Sequence, residues 1–235
     1  MSDAAMEVET LTAGYGEAMV LRDLSLRVGA GEVLAVLGKN GMGKSTLLKT
    51  VMGLLPTRRG RIRLLGEDVT GRPPHAHAAR AVAYSPQDYA IFQDLTVEEN
   101  LRLGLARGER FLPALERVAA PFPFLGQRRR QRAGTLSGGE QKMLIMARAL
   151  LARPRLMLID EITEGLQPSV ILRLTEILRA QNREGGSAIL LIEQNVRFAL
   201  SLADRYAVLT RGEIAAAGDA RAPGVEARIA DMMTV

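Results

Sequence analysis

The glycine-rich segment at residues 38–45 constrains the fold of this 235-residue chain more than any other feature. It follows the continuous apolar run 33–37, which is typical of a strand buried in a parallel sheet. A predicted helix over about 44–52 comes next. Strand, loop and helix in this order match the phosphate-binding pattern G-x-x-x-x-G-K-[S/T]. The segment, called the phosphate loop below, comprises Gly38, Lys39, Asn40, Gly41, Met42, Gly43, Lys44 and Ser45, with Thr46 directly after it.

The chemistry expected of the phosphate loop follows from its residue types. Glycines let the backbone curl so that several N–H groups point at one anion, and the helix dipole adds positive potential there. Lys44 is predicted to reach the β- and γ-phosphates of a nucleotide, and the Ser45 hydroxyl to ligate Mg²⁺. We therefore expect a bound nucleotide and Mg²⁺.

Two acidic residues end a second buried strand. Residues 156–159 are apolar, and Asp160 and Glu161 follow them directly. Ligands of open α/β sheets bind at the carboxyl ends of the strands. Asp160 is therefore predicted to hold Mg²⁺ through water, and Glu161 to polarise a water molecule for attack on the γ-phosphate.

A second predicted helix N-terminus that contains glycine lies near residue 137. Ser137 and Glu140 have the spacing of a capping box, and two glycines lie between them. Glycine weakens the first turn of a helix, so its presence indicates exposed backbone amides that can bind an anion. This stretch is called the signature segment below; it comprises Leu136, Ser137, Gly138, Gly139 and Glu140.

The order of elements predicts an α/β protein. We expect early strands at 6–12 and 20–28, broken at 13–16, then a polar hairpin over 61–70. Helical periodicity begins with a capping box at Thr96 and continues to about residue 151, with an interruption at Pro121 and Pro123. Strands and helices alternate after it. The predicted fold is a P-loop NTPase core with a mixed sheet, an antiparallel β portion and an inserted α-helical subdomain. One domain is expected over 1–235, with its core at about 1–92 and 151–235 and its helical subdomain at about 93–150.

Composition excludes several classes of site. The chain has no cysteine, so a disulfide scaffold and thiolate metal sites are excluded, and its two histidines, His75 and His77, are too few for a three-histidine metal site. The net charge is +5, but 27 of the 31 basic residues are arginine, which indicates genome composition more than function. The arginine run at 128–132 has no interleaved aromatic residues, so a solvated face is favoured over a lipid- or nucleic-acid-binding one. Neither a secretory signal nor a membrane span is predicted.

The phosphate loop, the signature segment and the apolar–Asp–Glu strand, in that order, resemble the ATP-binding subunit of an ABC transporter over nearly the whole chain. The resemblance implies that Tyr15 stacks on adenine. It implies that Gln87 links the γ-phosphate and Mg²⁺ to the membrane subunits, and that Gly165 and Leu166 face a partner. It also implies a head-to-tail dimer, in which the signature segment of one subunit binds the ATP held by the phosphate loop of the other.

Two departures from the family pattern indicate which branch of the family the chain resembles. Gln194 stands where family members usually carry a histidine, and Ile162 replaces the usual proline. Gln194 is predicted to position the water and the γ-phosphate, although it cannot carry a proton charge. Together with the segments 131–135 and 164–168, these departures resemble the smaller ATPase of branched-chain (hydrophobic) amino-acid importers. Urea and amide importers have similar ATPases, so the solute stays open.

The resemblance implies transmembrane permease subunits as partners, a second ABC ATPase subunit in a homo- or heterodimer, and indirectly a solute-binding protein. No nucleic-acid partner is expected. The chain is predicted to be cytoplasmic and peripheral on the inner face of the cell membrane. Two rival hypotheses are a soluble ABC ATPase of DNA repair or translation and a non-hydrolysing ATP-dependent dimerisation module. Gln194 favours the second rival mildly, and Glu161 argues against it.

Overall fold

Two β-sheets organise the computed structural model of the chain, which describes residues 4–78, 81–87, 91–106 and 108–234. The strands are β1 (Ala4–Tyr15), β2 (Ala18–Gly29), β3 (Val33–Leu37), β4 (Thr57–Leu64), β5 (Glu67–Asp68), β6 (Val82–Ser85), β7 (Leu156–Asp160), β8 (Ala188–Glu193), β9 (Arg205–Thr210) and β10 (Glu213–Asp219). A four-stranded antiparallel sheet has the order β2-β1-β4-β5, and a six-stranded sheet has the order β10-β9-β3-β8-β7-β6.

The six-stranded sheet is mixed. Strands β9, β3, β8, β7 and β6 run parallel, and only β10 pairs antiparallel, at one edge. The central strands β3, β7 and β8 are buried along their whole length, which matches their uninterrupted apolar sequences. Because parallel strands share one carboxyl edge, the residues that follow β3, β6, β7 and β8 are brought to the same side of the molecule.

Nine helices accompany the sheets in the described part of the chain. They are α1 (Lys44–Val51), α2 (His75–Ala78), α3 (Val97–Arg102), α4 (Phe111–Ala119), α5 (Pro123–Gln127), α6 (Gly138–Leu151), α7 (Pro168–Arg183), α8 (Val196–Leu202) and α9 (Val225–Thr234). A short 3-10 turn, Ala133–Thr135, precedes α6. Within the described ranges, no helix combines the length and the apolar character that a bilayer crossing requires.

The alternation of side chains along the central strands divides the core in two. Ala35 and Leu37 of β3 pack into a cluster with residues of α3 to α9, whereas Leu34 and Val36 pack into a second cluster with α1 and the antiparallel sheet. The phosphate loop joins β3 to α1. It therefore runs from a central strand, over the carboxyl edge of the six-stranded sheet, to the helix that packs on the same side as the antiparallel sheet.

The structure confirms the predicted α/β class, with its mixed sheet and antiparallel portion. The predicted break at 13–16 is wrong in position, because β1 continues to Tyr15 and only Gly16 and Glu17 form the turn. The helical pattern after Thr96 is divided into α3 to α6; the predicted interruption at Pro121 and Pro123 separates α4 from α5, and further breaks, which were not predicted, follow α3 and α5. The predicted capping box at Thr96 and Glu99 is present. Residues 1–3, 79–80, 88–90 and 235 of the predicted core, and residue 107 of the predicted helical subdomain, lie outside the described residues.

Phe122→Ala tests the packing of the helical region against the sheet. Phe122 is fully buried in the larger cluster, so we expect its removal to lower the free energy of unfolding by about 4 kcal/mol. Phe92→Ala is the matched control, because that ring is 56% exposed and its loss costs at most about 1 kcal/mol. Denaturant unfolding measures both changes, and equal losses in the two variants would contradict the packing described.

Candidate functional site

The phosphate loop lies at the carboxyl edge of the sheet, where its backbone makes close approaches that only glycine permits. A Cβ on Gly38 would lie 2.5 Å from the carbonyl oxygen of Leu209, and Gly43, at the start of α1, has a φ of +103°. Asn40, Gly41, Ser45 and Thr46 line a pocket of about 260 Å³ together with Gly43, Lys44, Gln87, Glu161 and Val20.

Lys44 is the buried cation of this pocket. Its Nζ lies 2.9 Å from Oε1 of Glu161, and both side chains are almost wholly buried. The same Nζ donates hydrogen bonds to the carbonyl oxygens of Gly38, at 2.7 Å, and Lys39, at 2.9 Å. The carboxylate and two loop carbonyls thus surround the ammonium at the position where the sequence predicts nucleotide phosphates.

Glu161 is the point at which the predicted catalytic residues meet. Its Oε2 accepts hydrogen bonds from Nε2 of Gln194, at 2.7 Å, and from Nε2 of Gln87, at 3.2 Å. The backbone of Glu161 has a φ of +44°, a left-handed conformation that costs a residue with a side chain about 1–2 kcal/mol. This turn after β7 directs the carboxylate toward Lys44.

Asp160 has the environment of a metal ligand. Burial raises the pKa of Asp160 to about 6, and the charge of Glu161 raises it too, while a hydrogen bond from the Ser45 hydroxyl and the charges of Lys44 and Lys49 lower it. Among the described residues, its buried Oδ1 finds no hydrogen-bond partner. A carboxylate oxygen without a partner, the Ser45 hydroxyl and the amide oxygen of Gln87 are oxygen donors of the type that Mg²⁺ prefers, so the residues fit this ion.

The signature segment begins α6 as predicted. The Ser137 hydroxyl accepts from the backbone N–H of Glu140, and the Glu140 carboxylate accepts from the backbone N–H of Ser137. Glu140 also forms an ion pair with Arg128 of the arginine run, at 2.9 Å. Leu136, Gly138 and Gly139 stand beside this cap, and none of the segment lines the pocket of its own chain.

Outside the signature segment, six predicted residues do not line the pocket. Gly38 and Gln194 contact residues that line it, and Asp160 precedes Glu161 directly, whereas the side chains of Tyr15, Lys39 and Met42 lie elsewhere. Tyr15 is 49% exposed beside the turn between β1 and β2. The side chain of Lys39 reaches the end of α9, where its Nζ donates to the carbonyl oxygen of Thr234 at 2.9 Å. Met42 contacts the loop after β9, since its carbonyl accepts from the backbone N–H of Gly212. The structure brings Lys44, Gln87, Glu161 and Gln194 together, and their roles stay predictions.

Two carboxylates of the site were not predicted. Glu164 accepts a hydrogen bond from Nε2 of Gln87 at 2.6 Å, and its backbone carbonyl accepts from Lys142 of α6. Glu193 ends β8 and is buried, and it accepts hydrogen bonds from Thr163. Glu193 carries the same signal that identified Asp160, an acidic residue at the end of an apolar strand.

A buried strand–loop–helix phosphate site with a carboxylate at the end of the neighbouring strand defines a P-loop nucleotide-binding protein. The model of the ABC transporter family matches residues 21–164, and the chain belongs to this family.

Relatives refine this membership. The chain is 40% identical to the high-affinity branched-chain amino acid transport ATP-binding protein BraG of Pseudomonas aeruginosa, over 89% of this chain and 90% of that protein. It is 37% identical to the probable branched-chain amino acid transport ATP-binding protein LivF of Archaeoglobus fulgidus, over 89% and 90%. The solved structure of an ATP-binding subunit of an ABC transporter superimposes with a TM-score of 0.82 at 30% identity, covering 98% of this chain and 95% of that one.

These findings confirm the prediction of an ATP-binding subunit of an ABC importer with ATPase activity, whose nucleotide is ATP. They also confirm the resemblance to branched-chain amino-acid importer ATPases.

Asp160→Asn tests the raised pKa through the pH dependence of stability. With a pKa of about 6 in the folded protein against an ordinary value of 3.8, the carboxyl keeps its proton in the folded state at pH values where the unfolded chain has lost it. Its contribution to the free energy of unfolding therefore falls as the pH rises from about 4 to 6. The difference in unfolding free energy, wild type minus variant, should be about 2–3 kcal/mol more positive at pH 4 than at pH 7.

Denaturant unfolding without nucleotide or Mg²⁺ at both pH values measures this difference. A difference that does not change with pH would mean that Asp160 titrates as an ordinary aspartate.

Proposed function

We propose that this chain hydrolyses ATP to drive the uptake of branched-chain or other hydrophobic amino acids. The observation that carries the proposed chemistry is the buried contact of Glu161 with Lys44 and Gln194, beside the phosphate loop. The solute rests on the names of the BraG and LivF relatives, since nothing in an ATP-binding subunit needs to contact it.

In the proposed reaction, Lys44 exchanges Glu161 for the β- and γ-phosphates of ATP. The backbone N–H groups of the phosphate loop bind the same phosphates, with Lys39, Asn40, Gly41, Met42, Gly43 and Thr46 completing the loop. Tyr15 stacks on the adenine ring. The exchange frees the Glu161 carboxylate, which then accepts a hydrogen bond from the attacking water and polarises it.

Gln194 positions the reacting groups in this proposal. The amide of Gln194 donates a hydrogen bond to Glu161 at 2.7 Å and so orients the carboxylate. Because an amide group both donates and accepts hydrogen bonds, Gln194 is also able to contact the water or the γ-phosphate. Ser45, Gln87 and Asp160 are proposed to hold Mg²⁺. An ion held by these residues would supply positive charge that neutralises the phosphates.

The proposed working unit is a head-to-tail dimer of ATPase subunits. Support comes from the signature segment, whose capped helix start does not line the pocket of its own chain. A helix N-terminus with bare amides binds the γ-phosphate held by the other subunit, so ATP joins the two subunits and hydrolysis releases them.

The permease subunits and, indirectly, a solute-binding protein are its proposed partners, and the inner face of the cell membrane is its proposed location. We propose that residues from about 93 to 150 form the helical subdomain of this chain, and that residues from about 1 to 92 and from about 151 to 235 form its catalytic core.

Glu161→Gln tests the role of the carboxylate. The amide keeps the size of the side chain but cannot polarise water as a base, so we expect hydrolysis to slow by roughly 10²–10⁴-fold. ATP affinity should be at least that of the wild type, because Lys44 no longer has a carboxylate competing with the phosphates. Steady-state turnover, ATP titration and sizing of the ATP-bound dimer measure these effects. Glu116→Gln, on the exposed side of α4, is the control, and wild-type turnover in Glu161→Gln would remove Glu161 from the mechanism.

Ser137→Arg tests the signature segment. A bulky cation at the start of α6 should block the approach of a second subunit, so hydrolysis stops while ATP binding by the monomer is kept. Thr96→Arg is the matched control, because Thr96 caps α3 with the same capping box and its loss costs a similar ~1 kcal/mol of stability. Loss of monomer ATP affinity in Ser137→Arg alone would show instead that the segment has a structural role only.

A further inference from the structure

Glu193 is a buried carboxylate for which the proposed reaction has no direct use. It is the last residue of β8 and is only 2% exposed. Its Oε1 accepts from the backbone N–H of Thr163 at 3.1 Å, and its Oε2 accepts from the Thr163 hydroxyl at 2.9 Å. Oε2 also accepts from the backbone N–H of Gln194 at 3.3 Å. Two of these donors thus belong to Thr163 in the loop after Glu161, and one belongs to Gln194 itself; the backbone of Asn195 donates to Glu193 as well.

These contacts attach the loop after β7 to the end of β8. The backbone N–H of Glu161 donates to the carbonyl of Ile192 at 2.9 Å, one residue before Glu193. The Glu193 carboxylate accepts a hydrogen bond from the backbone N–H of Thr163. The side chain of Ile162, which lies between Glu161 and Thr163 in the sequence, is buried. Ile192 and Glu193, consecutive residues of β8, therefore hold the left-handed turn through Glu161 itself and through Thr163, two residues later.

The charge of Glu193 is costly at this position. Burial raises its pKa, and hydrogen bonds from Thr163 and from the backbones of Asn195 and Gln194 oppose that shift. Within the described ranges, no ion pair compensates its charge. A carboxylate can accept all of these hydrogen bonds, whereas an amide would turn its own N–H₂ toward at least one donor. The set of donors therefore selects a carboxylate.

We propose that Glu193 is a positioning residue for ATP hydrolysis, which fixes Glu161 and Gln194 relative to each other by accepting hydrogen bonds from Thr163 and the Gln194 backbone. This inference rests on the role proposed above for Glu161. Glu161 and Gln194 meet at 2.7 Å across the two strand ends, and misplacement of a reacting group by about an ångström costs about 10²-fold in rate. Glu193 contacts no part of the phosphate loop in the contacts described, so it acts on turnover and not on ATP binding.

Glu193→Gln is the direct test in the purified full-length chain. We expect kcat to fall by about tenfold or more, because a reacting group that is misplaced by an ångström loses about 10²-fold in rate. The KM and the dissociation constant for ATP should not rise by more than about twofold over wild type, since Lys44 and the phosphate loop are untouched. A proportional loss of ATP affinity would overturn the proposal.

Two variants of Thr163 separate positioning from a general loss of stability. Thr163→Ser keeps the hydroxyl donor and should keep wild-type kcat, whereas Thr163→Val removes that donor at nearly constant volume and should lower kcat in the same direction as Glu193→Gln. If Glu193→Gln fails to fold, the Thr163 pair decides the question alone, and equal kcat values for the two variants would overturn the proposal.

Ser187→Ala is the matched control. Ser187 lies just before β8 at the opposite end of the strand, is fully buried and accepts a hydrogen bond from Gln181 at 2.7 Å. Its loss should lower stability without changing kcat. A fall in kcat equal to that of Glu193→Gln would show that any weakening of β8 slows the enzyme, and would overturn the specific role of Glu193.

A double-mutant cycle distinguishes this inference from the proposed function. If Glu193 acts through Glu161, adding Glu193→Gln to Glu161→Gln should change the residual rate by no more than about twofold. Full activity of Glu161→Gln alone would refute the proposed function. An inactive Glu161→Gln together with wild-type kcat in Glu193→Gln would refute only the positioning role.

Discussion

The buried ion pair between Lys44 and Glu161 is the interaction on which the rest of the site depends. Its atoms lie 2.9 Å apart, and 3% and 4% of the two side chains are exposed, so both charges have lost almost all of their hydration. Such a pair is tolerated only with good geometry and with the remaining donors satisfied, and the carbonyls of Gly38 and Lys39 provide this. The Glu161 carboxylate contacts the same ammonium that the proposed function assigns to the phosphates of ATP. The proposed reaction therefore couples binding of ATP to release of the Glu161 carboxylate.

Much of the fold follows from local sequence signals. The bounds of β3 and β7 agree with the sequence prediction, because continuous apolar runs that end in glycine or acid mark buried parallel strands. The end of β1 could not be predicted in this way. Glycine at position 14 signals a turn, but in the structure its missing Cβ lets the backbone approach the carbonyl of Ala18, and pairing with β2 continues to Tyr15. Tertiary pairing overrides the local turn signal there.

The site was predictable to the extent that strand ends determine it. Lys44, Glu161 and Gln194 follow three strands of one parallel sheet, so their meeting follows from topology. The left-handed backbone of Glu161, which precedes the contact of Glu164 with Gln87, could not be predicted, because no residue pattern indicates it and glutamate rarely adopts it. Glu193 had a readable signal, but only the structure shows that its carboxylate turns back to Thr163.

A crystal structure of the chain with a non-hydrolysable ATP analogue and Mg²⁺ tests the central claim most directly, through the position of the Lys44 ammonium. If Lys44 exchanges Glu161 for the phosphates, its Nζ lies within hydrogen-bonding distance, about 3 Å, of β- and γ-phosphate oxygens. Glu161 then no longer contacts Nζ and faces a water next to the γ-phosphate. A bound triphosphate with the Lys44–Glu161 contact still intact would contradict this exchange, because the carboxylate would then be neutralised by the ammonium and unable to act as a base.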